Sequence, residues 1–126
     1  MYGEDLDLCW RFHRAGFSTL LCNSALVIHH GGGSSRVAQS TFAVVHGRDS
    51  MWKLIRAARG KAEAALYVLG TALVATARIV CLFVVFPLAS GRTGRRWWLA
   101  ALRKWWGALG WALGTPSVRA LLKQSD

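Results

Sequence analysis

Between residues 64 and 89 the chain carries one charged side chain, Arg78, in a run made mostly of Ala, Leu and Val. A segment so poor in polar groups must bury itself in protein or in lipid. A helix rises about 1.5 Å per residue and crosses a hydrocarbon core in about twenty residues, so this run is long enough to span a membrane. Arg78 opposes that, because an arginine near mid-span costs roughly 2.5–3.5 kcal/mol on insertion scales. Two halves parted at Arg78 and ended by Pro87 would instead lie in the membrane surface or form a helical hairpin. Residues 63–90 are therefore expected to form an apolar helical segment, transmembrane or re-entrant.

Charge divides the chain in two. Sixteen Lys and Arg outweigh six Asp and Glu, yet residues 1–35 have a net charge of −1 and residues 36–126 a net charge of +11. A content of 53% hydrophobic and 17% charged residues argues against disorder. Seven Trp and long aliphatic runs among the basic residues point to an anionic membrane surface rather than to nucleic acid.

Residues 91–126 carry this pattern most clearly, in RTGRRWWLAALRKWWGALGWALG. On a helical wheel Trp98, Leu102, Trp105, Trp106, Leu109 and Leu113 share one arc, and Arg92, Arg96, Arg103 and Lys104 fall largely on the other. The spacing predicts an interfacial amphipathic helix with a lipid-facing and a phosphate-facing side. A helix merely packed on a protein core would not need five Trp beside five basic residues. Residues 37–62 read as a basic helical connector, broken near Gly47. Cys9, Cys22 and Cys81 form no CxxC or zinc pattern and are expected to be reduced core thiols in a cytosolic compartment. The acidic start lacks the basic and apolar regions of a secretory signal, so the segment faces the cytoplasm or belongs to something larger.

The first seventeen residues, MYGEDLDLCWRFHRAGF, hold half of all the acids, Glu4, Asp5 and Asp7. They predict a short helix from Glu4 to Ala15, with Gly16 as its C′ residue. Acids in a first turn complement the helix dipole by about 0.3–1 kcal/mol each, which alone would account for them. Phe17, Leu20 and Leu21, then Ala25, Leu26, Val27 and Ile28, read as a strand, a turn at Asn23-Ser24 and a second buried strand. That strand runs into HHGGGSS, a polar glycine loop where a histidine is a candidate metal or phosphate contact.

Taken together, Tyr2-Gly3-Glu4-Asp5-Leu6-Asp7-Leu8-Cys9-Trp10-Arg11, Ala15-Gly16-Phe17 and Ala25-Leu26-Val27-Ile28-His29-His30-Gly31-Gly32-Gly33-Ser34 resemble the C-terminal part of a family 2 glycosyltransferase, especially the bacterial rhamnosyltransferase-like branch. In that family an ED-x-D-L-x-x-R segment is followed, at this spacing, by an apolar strand ending in H-x-G-G-x-S. The resemblance is specific for residues 1–35 and compositional beyond residue 60. It implies an α/β fragment of a GT-A fold, helix plus short strands, over residues 1–36, followed by a mainly α-helical, membrane-associated tail.

It also implies a role for the acids. In an inverting transferase an acceptor hydroxyl attacks the anomeric carbon of a nucleotide sugar, and a carboxylate takes the hydroxyl proton. Asp5 is the expected base, with Glu4 orienting it or the acceptor, while Asp7 and Arg11 fix packing and charge pairing. His29 matches the family histidine that holds a divalent cation, Mg²⁺ or Mn²⁺, on the donor diphosphate. Arg11, Gly32 and Ser34 are candidate phosphate or substrate contacts.

The expected partners are a nucleotide-sugar donor, with rhamnose a candidate sugar, a lipid-linked or polysaccharide acceptor, and the anionic cytoplasmic face of a bacterial cell membrane. The nucleotide-binding half, with its D-x-D metal motif, is missing from these residues, which predicts a fragment inactive by itself. The alternative is a small non-enzymatic membrane protein acting through its basic amphipathic helix, its acids serving only as helix caps.

Overall fold

A computed structural model describes residues 3–28, 41–86 and 91–123. Within them lie α1 (Glu4–Arg14), α2 (Thr41–Arg59), α3 (Lys61–Val85), α4 (Gly91–Ala112) and α5 (Pro116–Lys123). The helices α2, α3 and α4 pack on one another, α5 folds onto α2 and α4, and α1 stands to one side with no buried residue.

Glycines in the left-handed region set the helix ends. Gly16, at φ +85°, closes α1: its N–H donates to His13 O at 3.1 Å and the N–H of Phe17 to Phe12 O at 3.0 Å. This is the paired-bond Schellman ending, and the rings of Phe12 and Phe17 meet edge to face at 5.7 Å to complete it. Gly114, at φ +63°, ends α4 in the same way, through Gly114 N–H to Trp111 O and Thr115 N–H to Gly110 O, both 3.0 Å. Pro116 then opens α5 where its missing N–H costs nothing.

Two expected interruptions are absent. Helix α2 runs through Gly47 and α3 runs unbroken through Arg78. Neither residue is enough to break its helix, since an isolated Gly costs only about 1 kcal/mol and Arg is a good helix former.

The core is small. Val45, Trp111 and Val118 are buried together, with Trp52, Tyr67, Val68, Ala112 and Leu122 around them. On α3 the buried residues are Ala64, Ala75, Ile79 and Leu82. The indole of Trp98 donates to Leu82 O at 2.7 Å, and the Trp111 ring lies 5.8 Å from that of Tyr67. Rising numbers on α4 thus meet falling numbers on α3, and the two helices run antiparallel along their length.

The expected α/β fragment is corrected here: no strand occurs among the described residues. Residues 17–28 are irregular apart from a turn at 23–24, and Leu20, Leu21, Leu26 and Val27 are all more than 80% exposed. A strand is stabilised by a hydrogen-bonded neighbour, and no described segment lies beside this one to complete a ladder. The cysteines also depart from expectation, since Cys9, Cys22 and Cys81 are free but exposed. Each lies on a surface that no other element covers.

Candidate functional site

The acids at the start of α1 occupy its first turn, where the unpaired backbone N–H groups favour negative charge. Gly3 begins the helix at φ +87°, and a Cβ there would come within 3.4 Å of Ser50 Cβ on α2. The positive φ, which glycine adopts at little cost, is what suits it to this position. Glu4 and Asp7 line a cleft of about 400 Å³ with Ser50, Lys53, Leu54 and Ala57 of α2. Asp5, one step round the helix, is exposed and has no hydrogen bond or ion pair among the described residues.

Arg11 pairs with Asp7 at 2.7 Å, one helical turn apart, the charge pairing expected of these two residues. Both side chains are open to solvent, so the pair adds only a few tenths of a kcal/mol. Of the residues singled out from the sequence, Glu4 and Asp5 thus lie together, with Arg11 about two turns behind them. His29, Gly32 and Ser34 lie outside the described residues. No group of three or more His, Cys, Asp or Glu able to hold a metal occurs among those described. The divalent cation implied by the resemblance has no donor set among the described residues, and its expected ligand His29 is not one of them.

The second surface is apolar. Leu66, Leu69, Leu73, Val80 and Val84 are each between 56% and 72% exposed. At 100° per residue they fall in one stripe, on the side of α3 opposite Ala64, Ala75, Ile79 and Leu82. Helix α3 is long and apolar enough to cross a membrane.

Helix α4 is less cleanly divided than its wheel suggests. Trp98 is buried against Leu82, Phe83 and Phe86, and Trp111 is buried in the core, so the protein itself covers part of the arc assigned to lipid. The open part of α4 mixes Trp97, Leu99 and Trp106 with Arg95, Arg96, Arg103 and Lys104.

One cluster escaped the sequence reading. Arg48 of α2, Arg78 of α3 and Lys104 of α4 each place their charge over Trp105, at 5.9, 5.7 and 5.5 Å from the ring centre. The only sequence signal was Arg78 itself, an otherwise costly charge in an apolar run. Comparison with family models, with curated proteins and with solved structures gives no match to this chain.

Proposed function

We propose that this chain is the acceptor-side and membrane-docking part of a family 2 inverting glycosyltransferase, acting with a nucleotide-binding half that residues 1–126 do not supply. The observation that carries the chemistry is the open carboxylate of Asp5 beside Glu4, in a segment that matches the family's ED-x-D-L-x-x-R pattern residue for residue. The acceptor oxygen bonds to the anomeric carbon as the bond from that carbon to the nucleoside diphosphate breaks. Asp5 takes the hydroxyl proton, and the diphosphate leaves with the electron pair. A base must reach its acceptor, and an unpaired, exposed carboxylate can.

Docking rests on α3 and α4 together. Were α3 to span the bilayer, α4 lying along it would carry Arg103 and Lys104 into the hydrocarbon beside Arg78 and Arg48. Four such charges cost on the order of 10 kcal/mol on insertion scales. Lying in the plane of the interface avoids that cost, sinks the leucine and valine stripe of α3 among acyl chains and leaves the basic residues at phosphate depth. The donor sugar reaches such an enzyme from the cytoplasm, its acceptor from the membrane.

The test joins this chain to the nucleotide-binding half of a family 2 transferase and measures transfer to a lipid-linked acceptor. Asp5→Asn is expected to lower kcat by roughly 10²–10⁴-fold, with donor KM little changed. Near-normal turnover by both Asp5→Asn and Glu4→Gln overturns the catalytic assignment. The exposed stripe would then favour the second reading, a non-enzymatic membrane-binding protein.

A further inference from the structure

We infer that Arg48, Arg78 and Lys104, gathered around Trp105, form a binding site for a phosphate group, supplied by the headgroup of an anionic lipid. The inference rests on the docking reading and adds a defined site to it. Each charge lies within 6 Å of the same ring centre, so any two are separated by at most twice that distance. Like charges this close repel, and none of the three has a carboxylate partner among the described residues. The neighbouring acid Asp49 is taken by Lys53 at 3.0 Å.

Arg48 adds a second observation. Its Nε is buried and has no hydrogen-bond partner among the described residues, a donor in need of an acceptor. It lines a hollow of about 370 Å³ with Tyr67, Gly70, Thr71, Val74 and Trp105, where the missing Gly70 side chain leaves open space. Lys104 lines an adjoining hollow with Trp97 and Trp105.

Three helices thus each bring one cation to a single aromatic platform. Arginine offers a planar fork of donors that matches phosphate oxygens, and resting on the ring orients the cations before a ligand arrives. The hollow that Arg48 lines also takes in Gly70 and the exposed Val74, which on the α3 wheel stand between Arg78 and the leucine and valine stripe, so the lipid that supplies the phosphate lays its chains along that stripe. Free phosphate has the same chemistry, and the test separates the two sources.

The test sediments the full chain with phosphatidylcholine vesicles carrying phosphatidic acid. It compares Arg48→Gln/Arg78→Gln/Lys104→Gln with a charge-matched control, Lys61→Gln/Arg119→Gln/Lys123→Gln. Helicity by circular dichroism checks that each is folded, and Arg78→Gln alone, at an exposed position, serves if the site triple is not. Generic attraction weakens both triples alike. The site predicts about tenfold more loss for its own triple, or a measurable excess for Arg78→Gln over Lys61→Gln.

Equal losses overturn the site and leave docking intact. Full binding by every variant, with no dependence on salt, overturns both. A third arm titrates the chain with inorganic pyrophosphate. Should the site triple abolish that binding while holding vesicles as well as the control does, the headgroup assignment is overturned in favour of a soluble phosphate.

Discussion

At the scale of single residues, what could be foreseen was whatever depends on neighbours a turn away. Asp7 and Arg11 are four apart, and four apart on a helix is contact, so their pairing was legible. Burial is set by distant segments, and for that reason the three cysteines were misjudged. Cys22 is now the informative one. A hydrogen bond with the Ser24 hydroxyl, at 3.4 Å, and then backbone hydrogen bonds at Ser24 and Ala25 hold its thiol below the ordinary range. A lowered value means the thiolate persists to lower pH; any stability it adds is present at alkaline pH and lost as pH falls through the folded value. Because Cys22 is fully exposed, rate is the sensible readout. Iodoacetamide should alkylate it with a pH midpoint below that of a free thiol, and Ser24→Ala should move the midpoint upward. An unmoved midpoint would show that the hydroxyl plays no part.

At the scale of elements, the helix ends were partly written in the sequence and the strands were not. Gly16 was foreseen as the residue closing α1 because only glycine enters the left-handed region at little cost. Gly114 does the same for α4, and there an added Cβ would also come within 3.2 Å of the Arg119 side chain. Gly114→Ala should destabilise the chain by about 1–2 kcal/mol, seen as a lower midpoint in thermal unfolding followed by circular dichroism. An unchanged midpoint would mean that the turn is not held as described.

Residues 17–28 failed as strands for a reason their own letters cannot carry. Short apolar runs parted by a turn report a preference for extended backbone, but a sheet also needs a neighbour. Helix α4 shows the same limit. Its wheel separates apolar from basic, yet lipid and protein core select the same tryptophans, and only contact with Leu82 and Tyr67 assigns Trp98 and Trp111 to the core.

At the scale of the whole molecule, the layer of α2, α3 and α4 has one apolar outer stripe and a concentration of positive charge that its own acids do not neutralise. Arg78 looked like an obstacle in the sequence because, there, it had no surroundings. Set beside Trp105, Arg48 and Lys104, it becomes part of a polar cluster, which in the docking proposed above stays out of the hydrocarbon centre. We propose that this layer lies in the membrane surface, with Asp5 where an acceptor emerging from lipid can reach it.

The most direct measurement is depth. A nitroxide on a single cysteine placed in turn at Leu66, Leu73, Val80 and Val84, with Cys9, Cys22 and Cys81 changed to Ser, reports its depth in vesicles through the faster spin relaxation caused by collisions with oxygen and with a water-soluble nickel complex. A helix in the interface plane gives one shallow depth, about 5–10 Å, at all four positions. A profile deepest near Leu73 and rising toward both Leu66 and Val84 would mean that α3 crosses the bilayer and does not lie in the interface.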